Sequence, residues 1–182
     1  MTKKIVAITV LFTMWVSAFS QDYTVEGNSI VITKVIENTN LNIDQESEAI
    51  LTYLGKAYND INTTLKTNTT HNIVVKGIYP KVVSFNMGLW KVNLGHQIVI
   101  SLKEGRVRVE VSVSKVILWS SEASEDHVIT EYYPINPRMS MRTSSMSKAK
   151  TEEMITNAVI LMNTTILEIE DALKSYHENE DW

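Results

Sequence analysis

The order of periodic segments predicts an α+β domain, β-α-β-β-β-β-α, in which a curved antiparallel sheet carries two helices on one face. Three observations predict it. Residues 106–113 alternate strictly, with Val107, Val109, Val111 and Val113 on one side and Arg106, Arg108, Glu110 and Ser112 on the other. That is the pattern of a half-buried antiparallel strand. Glu104-Gly105 joins this run to another apolar run as a two-residue turn, because glycine supplies the positive φ that a type I′ turn needs. Residues 148–176 contain no Gly or Pro, and their apolar residues recur every three or four positions, as a helix with one buried stripe requires.

Each element follows in turn. Residues 29–37 (SIVITKVIE) form the opening strand, with Ile30, Ile32 and Ile36 on one face and Val31, Thr33 and Val35 on the other. Apolar groups on both faces predict partial cover on both sides. Residues 38–42 form a turn. From Asp44 the period becomes helical through Ala49, Ile50, Tyr53, Leu54, Ala57, Tyr58 and Ile61, reaching toward Leu65. Asn42 or Asp44 caps its start, and Glu46 and Glu48 lie where the helix dipole favours negative charge. Residues 66–71 (KTNTTH) break the pattern.

Four strands are expected next, over 72–76, 81–90, 94–102 and 106–113. The second places Val83, Phe85, Met87 and Leu89 on one face, and the third places Leu94, Ile98, Ile100 and Leu102 inward with His96 in register. The turn at Glu104-Gly105 pairs Leu102 with Val107, Ile100 with Val109, Ile98 with Val111, and His96 with Val113. After Val113 two polar residues, Ser114 and Lys115, interrupt the alternation. One extra residue there predicts a bulge. Residues 120–147 hold Pro134, Pro137 and many serines and read as a long loop. Ser147 caps the final helix, whose stripe is Ile155, Ala158, Val159, Met162, Ile166, Ile169 and Leu173. With no internal repeat, residues 29–178 read as one domain, preceded by a polar leader (21–28) and followed by an acidic tail (179–182).

The N-terminus has the make-up of a secretory signal peptide over residues 1–20. Lys3 and Lys4 precede an apolar run, and Ala18-Phe19-Ser20 offers small residues for cleavage before Gln21. The apolar run is shorter than the roughly 20 residues that span a bilayer. Removing it leaves 162 residues with 15 basic and 21 acidic side chains, a net charge of -6 against -4 for the full 182. No cysteine is present. That excludes disulfides, thiol catalysis, Cys-ligated metals and a lipoprotein anchor. The acidic balance argues against nucleic-acid binding.

No phosphate-binding glycine loop, dinucleotide motif, nucleophile elbow or His-Glu-x-x-His helix occurs. His71, His96, His127 and His177 are scattered. Glu125-Asp126-His127 reads as a solvated acidic loop, and His96 as a satisfied inner histidine. The Asn-x-Thr sites at Asn62, Asn68 and Asn163 matter only in a eukaryotic secretory pathway. Arg106 and Arg108, with Glu110, Ser101 and Lys103 beside them, read as a charged, exposed sheet face.

With these elements in place, the chain resembles the secreted bacterial family called domain of unknown function 4468, with a TATA-binding-protein-like fold. The residues that carry the resemblance are the signal peptide, the opening strand Val31-Ile32-Thr33-Lys34-Val35-Ile36-Glu37 and the helix after it. Gly105-Arg106-Val107-Arg108-Val109 and Tyr133-Pro134-Ile135-Asn136 add to it. The likeness spans residues 29–176. Val107 and Val109 stand where the family pattern has aromatics, and the first helix lacks a tryptophan. The family carries no established activity, so the resemblance implies no catalytic residues. The fold name does not imply DNA binding.

The expectation is therefore an exported, non-enzymatic interaction or structural domain of the bacterial envelope (periplasm, outer surface or extracellular space). It needs no cofactor or metal. An envelope protein is the candidate partner; nucleic acid and a membrane span in the mature form are not expected. The candidate interaction surface is Arg106, Arg108, Glu110, Tyr132, Tyr133, Met139 and Met141. The alternative is a small apolar-ligand carrier with a cavity between the sheet and the C-terminal helix.

Overall fold

Alternating side chains along three long strands give the sheet one apolar face, and two helices lie on it. The computed structural model describes residues 23–26, 29–120, 128–132 and 146–176. The strands are β1 (Thr24–Glu26), β2 (Ser29–Glu37), β3 (Leu65–Thr69), β4 (Asn72–Phe85), β5 (Trp90–Lys103), β6 (Arg106–Ser120) and β7 (Val128–Tyr132). The helices are α1 (Ile43–Ala57), the single turn α2 (Ile61–Thr64) and α3 (Lys148–Ser175). All strand pairs are antiparallel, in the order β1-β2-β6-β5-β4-β3. β2 pairs with the first half of β6, and β7 with its second half.

The fold is α+β as expected, and the hairpin register holds. Leu102 faces Val107, Ile100 faces Val109, Ile98 faces Val111 and His96 faces Val113. The register then shifts so that Gly95 faces Lys115. Ser114 is the extra residue, and the bulge lies where the alternation slips. Gly105 takes φ 75° in the turn.

The sheet is larger than the sequence predicts. The expected segment 72–76 and the first half of 81–90 form one strand, β4, kinked by a register shift between Tyr79 and Val83. Lys81 takes φ 52° there, and Asn157 Nδ2 of α3 donates to the Val82 carbonyl at 2.9 Å. β3 begins at Leu65, where the helical stripe was expected to end, and runs into the expected break at 66–71; β1 lies within the leader, and β7 within the expected loop of 120–147. The predicted inward alternation past Phe85 is overturned. Residues 86–89 form a turn in which Asn86, Met87 and Gly88 have φ of 50°, 56° and 87°. Met87 is fully exposed as a result. The expected continuation of the first helix through Ile61 is also overturned. α1 ends at Ala57, and Asp60 caps the separate turn α2 by accepting from the Asn62 and Thr63 amides.

Capping follows the sequence elsewhere. Asn42 and Gln45 form a reciprocal capping box on α1, and Ser147 accepts from the Lys150 amide on α3. The α3 stripe Ile155, Ala158, Met162, Ile166, Ile169 and Leu173 is buried against the sheet's inner face, with Val159 half-buried. α1 adds Ala49, Ile50 and Leu54 to the same core. Polar ties fix the layers. Tyr53 donates to Glu168 (2.8 Å) and Tyr176 to Glu48 (2.9 Å) between the helices. Lys34 of β2 pairs with Glu170 of α3, which also holds Lys174 at 2.8 Å. No described helix is long and apolar enough to cross a membrane.

Candidate functional site

The strand registers place the outward residues in rows across the sheet. One row is Thr33, Glu110, Val99 and Val74, and the next is Val35, Arg108, Ser101 and Asn72. Beyond it Arg106 lies between Glu37 and Lys103. Both helices pack on the opposite face, so these side chains form the outer surface of the sheet. Arg108 donates to Glu110 at 2.8 Å across two positions of one strand. Both partners are substantially exposed, and such a pair contributes little to stability, about 0–1 kcal/mol. Its effect is local: it holds two opposite charges side by side on the strand. Val35 stays 47% exposed among them, and Val74 and Val99 are half-buried.

The structure therefore brings together Arg106, Arg108, Glu110, Ser101 and Lys103. Tyr132 ends β7, beside Val116 of β6. Tyr133, Met139, Met141, His127, the acidic cluster at 125–127 and the residues of the signal segment lie outside the described residues.

A second cluster sits on the inner face. His96 of β5 is 4% exposed. Its Nε2 meets the Tyr58 hydroxyl at 2.6 Å, and its ring stacks on Tyr79 with centroids 3.9 Å apart. Tyr79 in turn shares a hydrogen bond with Thr165 Oγ1 at 2.9 Å. Burial pulls the imidazole down to about 4, so it is neutral at pH 7. Burial pushes the Tyr79 phenol up to about 12 and raises Tyr58 as well, with Tyr79 and Glu168 adding to the shift on Tyr58. Such phenols stay protonated and act as hydrogen-bonding groups. Nδ1 of His96 has no hydrogen-bond partner among the described residues. The expected inner histidine is thus found, with one ring nitrogen satisfied. Gly77, directly opposite on β4, makes room for the contact. A Cβ there would fall 2.6 Å from a Tyr58 ring carbon and 2.7 Å from His96 Cε1.

Sequence reasoning did not find Tyr58, Gly77, Tyr79 and Thr165 as partners of His96. The β4–β5 register names Gly77 once the hairpin is known. Tyr58 reaches the site only because α1 stops before it.

The third buried polar group is Glu46, in the first turn of α1. Thr39 donates to its Oε1 at 2.6 Å, and Oε2 has no partner among the described residues. Burial raises its carboxyl; the Thr39 bond opposes this, and Glu104 adds to it. Thr39 also donates its amide to the Gly105 carbonyl at 3.3 Å. Glu46 thereby anchors the turn after β2 near the β5–β6 hairpin.

The space between sheet and α3 is filled by one continuous cluster of aliphatic side chains with Tyr79 and Phe85. A groove of about 720 Å³ between α1 and α3 is open and lined by Tyr53, Lys56, Glu168, Asp171 and Tyr176, among others. Among the described residues no three His, Asp or Glu side chains gather as a metal-holding group.

No family model matches the sequence, and no curated protein matches it. Solved structures do resemble the fold. A TBP-like protein of Parabacteroides distasonis superposes with a TM-score of 0.60 at 12% identity, covering 83% of this chain and 96% of that one. A DUF4468 family protein of Bacteroides ovatus superposes with a TM-score of 0.57 at 13% identity, covering 87% and 94%. At this identity the likeness shows a shared fold, the TBP-like architecture that the sequence suggests.

Proposed function

We propose that the chain is an exported, non-enzymatic interaction domain of the bacterial cell envelope, working through its outer sheet face. One observation carries the reading. The face that bears Arg106, Arg108 and Glu110 is left uncovered by both helices, and it mixes these charges with Val35, Val99 and Ser101. Interfaces of non-obligate complexes have such mixed composition, with arginine enriched. The titratable groups inside the domain support a structural role for that interior. His96 is neutral and packed, and the phenols against it, Tyr58 and Tyr79, are raised by burial and stay protonated, which supports a hydrogen-bonding and packing role for the cluster. The signal-like segment 1–20 supports export. We include Tyr132, Tyr133, Met139 and Met141 in the proposed contact set on the sequence alone, since tyrosine and methionine make adaptable contacts.

The experiment compares proteins co-purifying with the tagged mature domain and with three variants. Arg108→Glu/Val35→Glu alters the face, deletion of residues 138–145 removes part of the adjoining segment, and Glu152→Gln alters the exposed side of α3. Loss of a partner with the first variant and retention with Glu152→Gln is expected. A partner set unchanged by the face variant removes the sheet face from consideration; one unchanged by the deletion removes the segment.

A further inference from the structure

The turn between β4 and β5 holds a conformation that one of its residues does not favour. Asn86 and Met87 take φ of 50° and 56°, and Gly88 follows at 87°. Asparagine and glycine visit this left-handed region readily, whereas a methionine there crowds its Cβ against the backbone. Two backbone bonds close the turn: the Gly88 amide donates to the Phe85 carbonyl at 3.2 Å, and the Leu89 amide to that of Asn86 at 3.1 Å. Met87 gives nothing to the core in return, because its side chain is fully exposed. Leu89 is 39% exposed, and a Cβ on Gly88 would meet open space.

Behind this tip Trp90 is half-buried. Its ring lies nearly parallel to that of buried Phe85, at 8° with centroids 6.2 Å apart. The two exposed apolar side chains therefore stand on a fixed aromatic base.

Size and chemistry select the partner. A specific protein interface buries about 1,200–2,000 Å² in total, far more than Met87 and Leu89 supply. A bilayer surface sets no such threshold, since reversible binding there scales with the apolar area inserted. An indole just behind the inserted side chains suits the headgroup level, where one part of the ring is apolar and the other wet. β4 and β5 hold no Asp or Glu, so neither strand draws a carboxylate toward hydrocarbon. Lys91, next to Trp90, has a stem long enough to keep its ammonium among the headgroups.

We propose that the turn at residues 86–89, with Trp90 behind it, inserts into the interfacial region of a lipid bilayer and holds the domain there reversibly. The tip lies at the opposite end of the β5–β6 ladder from Arg106 and Arg108. The proposal stands whether or not the outer sheet face has a protein partner.

The test is co-sedimentation of the mature protein with vesicles of phosphatidylethanolamine containing phosphatidylglycerol as the minor component. Wild type should bind. Met87→Asn should weaken binding about tenfold or more, the factor carried by burial of one large apolar side chain. Its midpoint in urea should hold or rise, because asparagine accepts the left-handed backbone. Leu89→Asp should weaken binding at least as much, and Ile160→Asp, on the exposed side of α3, should bind as the wild type does. Binding should persist at about 1 M salt, where the screening length is only about 3 Å. Absence of binding by the wild type overturns the proposal. So does binding that both tip variants retain, that Ile160→Asp loses equally, or that high salt abolishes. A lowered midpoint in Met87→Asn overturns it as well, by showing that Met87 serves the fold. Sedimentation velocity without lipid checks the competing occupant: self-association lost in Met87→Asn would assign the tip to a second copy of the chain and overturn the lipid reading.

Discussion

Gly77 lies opposite His96 on the inner face of β4, and its missing Cβ leaves the space in which Tyr58 meets His96. Gly77→Ala forces the tyrosine and imidazole apart in a packed interior. A destabilisation of about 1–3 kcal/mol is expected for such overpacking, read as a lowered midpoint in urea denaturation. His96 makes a separate prediction. Its ordinary value of 6.5 falls to about 4 in the fold, so the unfolded chain binds the extra proton between those limits. The stability is fully present above pH 6.5 and is lost progressively as pH falls toward 4, by about 3 kcal/mol from this group. Glu46 acts in the opposite sense: its raised carboxyl contributes stability at low pH that is lost as pH rises through its folded value. The difference between wild type and His96→Gln isolates the histidine. The slope of unfolding free energy between pH 6.5 and 4 should be shallower in His96→Gln; equal slopes would show that His96 does not titrate on unfolding.

Among the elements, α3 supplies the main cover of the sheet, and Ile166 sits 1% exposed near its middle. Ile166→Ala should cost about 2–5 kcal/mol, against about 0.5–2 kcal/mol for Ser147→Ala at the cap. Thermal denaturation of the two variants orders them, and a cap variant more damaging than the core one would contradict the packing described. The same scale shows what was legible in the sequence. β6, its turn and the Ser114 bulge were readable because each leaves a mark on an alternation of period two. α3 and its cap were readable because burial of one stripe forces a period near 3.6. β3 was not: Lys66, Thr67, Asn68 and Thr69 are all exposed, so the strand is held by ladder hydrogen bonds without an apolar period to betray it. The turn at 86–89 was misread because Met87 and Leu89 keep an apolar alternation while the backbone turns through left-handed angles. The end of α1 was hidden by Tyr58, whose spacing fits the helical stripe although its ring is bound to His96. Asn59-Asp60 was the available breaker signal. The charged row at Arg106, Arg108 and Glu110 was legible as exposed surface, whereas the cluster of Tyr58, Gly77, Tyr79 and His96 required the β4–β5 register and the position of the first helix.

For the whole molecule, the layered arrangement separates two tasks. The inner sheet face and the helices hold the fold without a crosslink, through one aliphatic core. The outer face carries charges and half-buried valines that the core does not need. A domain of this build tolerates charge changes on Arg108 or Val35 with little loss of stability, since surface substitutions usually act within about 0.5 kcal/mol. The outer face is the working surface that we propose for this domain. Site-specific photo-crosslinking in the producing bacterium tests it most directly, with the reactive group placed at Val99 on the outer face and, separately, at Ile160 on the exposed side of α3. A discrete crosslinked species from position 99 and none from position 160 is predicted. Crosslinks from position 160 alone, or from neither position, would contradict the claim.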